Sequence, residues 1–325
     1  MYNLRSSNGG SWNRKSGFSL LEMLVGMGML SIIVLALFSM FNQTQKALVA
    51  NAGQSDSMEG GRAVVDLIYR DLSRARSLNI ETNYIEVPGT TNISQVIPPV
   101  VNLTIFRTAD GISDPVVRKF YSDSWHRDSL LHDLFYLTET TPGSWAGAGL
   151  FVAPEDPSNP NDGVGTLYRY EDSAPLYISG KRGGQTADLL YQRFFITPGY
   201  RTNMQNSSRL LDGVVFFRMT AFGPAGEALD PTIWSRTNIF PIPKDVLIGP
   251  NPNVSFPLPA TTFRGRAFPT SLEMELGLLP TELLDKYRVL PLAPAGIRSR
   301  FLTNNAANIL VLRQRIPMAV SPLNP

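Results

Sequence analysis

The chain has no cysteine and only two histidines in 325 residues. Without cysteine there is no disulfide framework, no thiolate nucleophile and no thiolate metal site, so a folded core must be held by packing alone. The two histidines, His126 and His132, match neither one helix face nor a known metal-ligand interval, and both read as structural side chains. With histidine so scarce and no Gly-x-Ser-x-Gly elbow, a serine triad has little to work with. An excess of one charge is also missing, since 29 basic residues face 27 acidic ones for a net charge of +2. A nucleic-acid surface needs a concentrated basic face, and this balance makes no case for one. Long apolar runs are missing too, with one exception near the N-terminus. The hydrophobic content of 43% and aromatic content of 10% are those of a folded chain.

The exception is the run from Phe18 to Phe41, which opens Gly17-Phe18-Ser19-Leu20-Leu21-Glu22 and carries no charge after Glu22. A membrane span needs about 20 mostly apolar residues, and this run meets that length. Arg14 and Lys15 precede it and Arg5 lies further back, which marks the N-terminal side as cytoplasmic. A carboxylate inside such a segment costs roughly 2.5 to 3.5 kcal/mol on insertion scales, so Glu22 is expected to have a partner. Two plainer readings stand beside this one. The run is a secretory signal peptide cut near Ala50-Asn51-Ala52, or a single-pass anchor with an incidental glutamate. A secretory core is about 7 to 15 residues, shorter than what is present.

The residues from the basic leader through Gly17, Phe18 and Glu22 resemble the type IV prepilin signal. The resemblance implies that prepilin peptidase cuts between Gly17 and Phe18 and methylates the new Phe18 amine. It also implies that Glu22 stays neutral or pairs with the Phe18 ammonium of a neighbouring subunit when subunits enter a filament. Opposite charges about 4 Å apart attract by roughly 4 kcal/mol at an effective dielectric of 20, enough to offset the burial cost. A second segment, Gly61 to Ala75 with Arg70-Asp71-Leu72 inside it, is similar to the region after the anchor in large minor pseudopilins. These include the type II secretion pseudopilin J, PilW-like minor pilins and the prepilin-like Verru-Chthon cassette proteins, the C member in particular.

The rest of the chain is read from its periodicity. Residues 42–59 are polar and helical, with Gly53, Gly60 and Gly61 weakening the helix. Helix resumes with Val64, Leu67, Ile68, Leu72 and Ala75 on one face, while Arg62 and Arg70 each lie four residues from Asp66. Beyond residue 80, short β-favouring runs predict strands at 100–106, 116–121, 134–137, 166–170, 191–196, 214–221 and 272–279. The proline-rich stretch from Pro231 to Pro259 reads as a surface excursion, because Pro cannot sit in a central strand. Thr281 to Tyr287 predicts a short helix capped by Thr281, and Ala306 to Arg315 a last strand or helix edge.

Other chemistry is thin. His126-Arg127-Asp128 has the residue order of the kinase catalytic triplet, but the downstream Asn, glycine-rich loop and DFG-type motif are missing. Gly147-Ala148-Gly149 and Gly180 to Gly184 lack P-loop offsets and read as loops. Asp156, Asn159, Asn161 and Asp162 gather oxygen ligands in one loop and are weak calcium candidates. Two prolines break any EF-hand offset there, and such clusters are ordinary turn chemistry.

The expectation is an α+β chain with a long N-terminal transmembrane helix and a β-rich, pilin-like globular head in the periplasm. Its parts are a leader at 1–17, the membrane half of the helix at 18–41, a periplasmic helical part at 42–79 and the head at 80–325. The function expected is that of a structural minor subunit of a type IV pilus or secretion pseudopilus, not an enzyme and without a cofactor. Prepilin peptidase, other pilin or pseudopilin subunits and inner-membrane lipid are its expected partners, and nucleic acid is not. The alternative is a membrane-anchored periplasmic binding or adhesion head that uses the pilin export route.

Overall fold

The structure, a computed structural model, describes residues 19–77, 84–85, 95–96, 101–107, 118–122, 125–129, 131–141, 144–154, 163–175, 189–194, 206–229, 246–250, 259–265, 267–291 and 297–318. Helix α1 spans Leu20–Ser73 without a break. The chain divides into two compact units, Met1–Ala52 and Gly53–Pro325. In the first unit, every described side chain from Leu20 to Val49 is exposed.

The second unit is built on an extended antiparallel sheet. Its strands are β3 (Val101–Arg107), β6 (His132–Thr141), β7 (Ser144–Pro154), β8 (Gly165–Pro175), β9 (Ser207–Phe222), β10 (Ala228–Leu229), β11 (Val246–Pro250), β12 (Pro259–Arg264), β13 (Ser271–Leu278) and β14 (Leu310–Pro317). They lie in the order β11-β12-β3-β6-β7-β8-β9-β13-β14, with β10 beside β9. Two small hairpins stand apart, β1 (Tyr84–Ile85) with β2 (Gln95–Val96), and β4 (Arg118–Ser122) with β5 (Trp125–Ser129). Pro250 and Pro259 sit at one end of the β11–β12 pair, and β11 is an edge strand, where a missing N–H costs least.

One face of the sheet is covered by the end of α1. Val64, Val65, Ile68, Leu72 and Ala75 are buried against Leu134, Leu150, Leu167, Phe217, Leu272, Met274 and Leu276. The helix passes β13 and β14 at Gly61, and the chain just beyond its end reaches β6 at Ala75, which bridges to Thr138. The expected weakening at Gly61 is offset by this approach. A Cβ on Gly61 would stand 2.5 Å from a Leu312 methyl and 2.7 Å from one of Leu278, so glycine sets how closely the helix can lie.

The other face carries a second core. Phe135, Phe151 and Tyr170 pack there against Leu190, Tyr191 and Phe194 of α2, a short helix over residues 189–194. The sequence predicted a strand at 191–196. The structure corrects this, because Leu190, Tyr191 and Phe194 fall on one helical face and bury together. Gly147 and Gly149 likewise lie inside strand β7, not in a loop. A Cβ on Gly149 would stand 2.4 Å from the Phe194 ring, and one on Gly147 would stand 2.9 Å from Phe135. Glycine here makes room for aromatic rings. A third core forms where α3 (Thr281–Val289) and α4 (Ile297–Asn304) cover Val164, Val215 and Leu279.

Thr281 is not the cap of α3. Pro280 holds that position without a side-chain bond, and the Thr281 N–H donates instead to Ser57 Oγ on α1 at 3.1 Å. The Ser57 hydroxyl itself donates to the Gly53 carbonyl at 2.8 Å. An orphan donor at one helix start is thus satisfied from another helix.

The neighbouring glycines of α1 give a direct check. Gly60 has only a Leu211 methyl near its Cβ position, at 3.7 Å. Gly60→Ala should therefore gain stability, by up to about 1 kcal/mol of helix propensity. Gly61→Ala should lose about 1–3 kcal/mol by overpacking. Thermal unfolding of the two variants in detergent should move in opposite directions.

Candidate functional site

Two places on α1 carry the chemistry that the sequence singles out. At its start, Ser19 precedes the first helical residue and accepts three bonds. Its Oγ takes the Glu22 N–H at 3.2 Å, and its carbonyl takes the N–H groups of Glu22 and Met23 at 3.0 and 3.1 Å. Ser19-Leu20-Leu21-Glu22 is the spacing of a capping box, which places the Glu22 carboxylate in the first turn, where the helix dipole favours it. The sequence reading missed Ser19. The signal was its three-residue offset from Glu22.

Glu22 is exposed in this structure, on a helix whose most apolar stretch is wholly uncovered. Among the described residues this is the one helix long and apolar enough to cross a membrane. Gly17 and Phe18 lie outside the described residues, as do Asp156, Asn159, Asn161 and Asp162. Among the described residues, no group of three His, Asp or Glu stands together as a metal site. His132 is buried on β6 and its Nδ1 lies 3.0 Å from the Met219 carbonyl and 3.1 Å from the Met219 nitrogen. His126 falls on β5.

At the far end of α1, Asp71 points onto the sheet. Arg169 Nε on β8 donates to Asp71 Oδ2 at 2.5 Å, and the same guanidinium reaches Glu171. The Tyr136 hydroxyl on β6 donates to the same Asp71 oxygen at 3.4 Å. Burial, followed by the Asp71 charge, pushes the Tyr136 phenol well above its ordinary pKa, so it stays protonated and remains a donor. Burial opposes the Arg169 charge, but its bonds to Asp71 and Glu171 more than offset that and raise its pKa. These side chains with Arg74, Thr138 and Thr140 line a cleft of about 300 Å³. Strand β7 contributes only Ala146 and Ala148 between Thr138 and Tyr136 on one side and Ser173 and Glu171 on the other. The small strand between larger neighbours leaves the hollow. Because Asp71 on α1 and Glu171 on β8 both meet Arg169, the arrangement fastens the end of α1 to the sheet.

A second ion cluster joins β8, β9 and α3. Asp212 accepts from Thr166 Oγ1 at 3.0 Å, from Arg209 Nε at 2.7 Å and from Arg288 at 3.4 Å. Burial acts to raise the Asp212 pKa, but the Arg209 and Thr166 bonds and the Arg288 charge outweigh it and hold the carboxyl below its ordinary value.

Residues 12–38 match the family model described as the prokaryotic N-terminal methylation motif. The chain carries a prepilin-type N-terminus. This motif supports a type IV pilin- or pseudopilin-like protein, and α1 is long and apolar enough to anchor it in a membrane as a single span. No curated protein and no solved structure matches it. The prepilin motif is one of structural subunits, and it implies processing by prepilin peptidase and assembly with other pilin subunits. The match spans Ser19 and Glu22 but ends before the sheet unit begins.

The junction at Asp71 and the cluster at Asp212 are both open to test. Asp71→Asn leaves the Arg169 charge with Glu171 alone and should cost about 1–2 kcal/mol, since the pair is partly exposed. Urea unfolding should show a lower midpoint at an unchanged slope. Asp212 has a folded-state pKa below its unfolded value. Its contribution is therefore complete above the unfolded pKa, near 4, and is lost as pH falls through the folded one. Wild type should lose more stability between about pH 5 and pH 3 than Asp212→Asn does, and equal slopes would show the cluster to be inert.

Proposed function

We propose that the chain is a minor pilin or pseudopilin subunit that works by assembly, not by catalysis. Prepilin peptidase cuts between Gly17 and Phe18, the Phe18 amine is methylated, and the sheet unit lies in the periplasm or on a filament. The observation that carries this is the prepilin-type match over residues 12–38 on a helix whose apolar side chains are exposed from Leu20 to Val49. In an assembly, that surface is covered by lipid before incorporation and by neighbouring helices afterwards.

Glu22 then has two roles. In the single chain it lies in the first turn of α1, where a carboxylate gains about 0.3–1 kcal/mol from the dipole. Beside another subunit it faces the Phe18 ammonium, whose attraction offsets the cost of a carboxylate in an apolar core. The bulk of the Gly53–Pro325 unit supports a minor position at or near a tip over a repeating one, because a large head packs poorly at every step of a tight helical array.

Mass spectrometry of the protein recovered from membranes should find Phe18 at the N-terminus with a methylated amine. An intact Met1, or a start near Asn51, would remove the prepilin reading. Glu22→Ala should insert and be cut normally but co-purify poorly with prepilin partners, whereas Gly17→Val should retain the leader. Wild-type recovery of partners by Glu22→Ala would leave the carboxylate with its place near the helix dipole alone.

A further inference from the structure

Strand β14 ends the sheet, and among the described residues it pairs with one strand, β13. In an antiparallel ladder, every second residue turns its backbone groups toward a given neighbour. The Met318 N–H, just past β14, donates to the Thr270 carbonyl at 3.0 Å, and this fixes the phase. Leu310, Leu312, Gln314 and Ile316 therefore turn their backbone groups to β13. Val311, Arg313 and Arg315 turn their N–H and C=O groups outward, and Pro317 turns out a carbonyl alone. Among the described residues the one bond to these outward groups is a long one, from the Gln314 amide to the Arg315 carbonyl at 3.5 Å.

Such an edge is a template for another strand, and charged side chains are one means by which proteins blunt it. The arginines of β14 do not serve that purpose. Arg313 leans back over β13, with its Nε donating to Glu273 at 2.8 Å and its guanidinium 3.2 Å from Glu275. Arg315 donates to Ser271 at 3.0 Å, and its guanidinium lies 4.5 Å from the centre of the Phe222 ring on β9. Both charges are drawn inward across the sheet, and the outward backbone is left clear. On the opposite face Leu310, Leu312 and Ile316 pack into the core beneath α1. A strand laid beside β14 meets apolar neighbours on one face and arginine stems on the other.

We infer that β14 takes up an antiparallel strand of a different protein, one that alternates apolar and polar residues. A second copy fails on direction. A two-fold axis joining β14 to itself stands perpendicular to the sheet and reverses whatever lies along it. The stretch of α1 after Gly61 crosses the sheet from β14 toward β6, so the two copies of that stretch would run oppositely. Single-span anchors with a prepilin-type N-terminus enter a membrane the same way round. Head-to-tail pairing with the far edge is a poorer match, because β11 has 5 residues and ends in Pro250. Every step from β11 to β14 is antiparallel and the two edges run the same way, so that join would be parallel. The inference rests on the assembly reading for its context and adds the kind of contact made, and its failure is separable. A chain that is never cut at Gly17 yet adds a strand at β14 would remove that reading and keep this one.

The test uses the full chain in a neutral detergent and a fluorescent peptide of about nine residues alternating valine with threonine, long enough to line β14. The peptide should slow hydrogen exchange at the Val311, Arg313 and Arg315 amides about tenfold or more and leave β11 unchanged. Bonded residues of an antiparallel pair share a face, so the threonines beside Arg313 and Arg315 supply the N–H groups. Methylating the threonine nitrogens should abolish binding, and methylating the valine nitrogens should leave it. Val311→Pro removes one outward donor and no bond to β13, so it should weaken binding about tenfold without lowering the melting temperature. Unchanged exchange at the β14 amides, slowing at β11 in their place, or equal binding of the two methylated peptides would overturn the proposal. Slowing at the same amides in the chain alone, with dimers in sedimentation, would give the edge to a second copy and overturn the choice of partner.

Discussion

Where Gly61 passes β13 and β14, one added carbon would collide with both Leu278 and Leu312. That contact sets the height of α1 above the sheet, and the height decides what lies further along. Ile68 and Leu72 reach the core only because the helix lies this low, and both are fully enclosed. A fully buried side chain of this kind is worth about 1.5–3 kcal/mol. Asp71, one residue before Leu72, is then carried to within bonding range of Arg169 and Tyr136. The apolar seat and the ionic fastening are two results of one close approach.

The two faces of β7 show how one strand serves two packing problems. Ala146 and Ala148 face α1 and Gly147 and Gly149 face α2. On the first side, small methyl groups leave a hollow between β6 and β8. On the second, absent side chains let Phe135 and Phe194 approach to 5.6 Å between ring centres. Close-packed interiors tolerate neither void nor clash, so residue size on each face is fixed by what stands opposite.

Much of this was legible in the sequence, and the misses share a cause. The membrane-length run, the amphipathic end of α1 and the alternating strand around Leu272 to Leu276 are local patterns with a fixed period, and they are where the structure has them. The β7 segment was misread because its glycines respond to Phe194, some forty residues further on. The strand expected at 191–196 became helix because its aromatics share a buried helical face, which outweighs their β preference. Asp71 lay inside a segment already singled out, but Arg169 could not be paired with it from spacing.

The bond from Thr281 to Ser57 joins residues 224 positions apart, and Leu312 reaches Gly61 from further still. Contacts of such separation form late, because the loop they close must first lose its conformational freedom. During synthesis α1 is complete long before the segments that cap it and wall it in have been made. The helix must therefore wait with Ile68 and Leu72 uncovered, and the interval falls while its own start is entering the bilayer. Any factor that shields an apolar helix face during that wait would govern the yield of folded protein without touching its final stability.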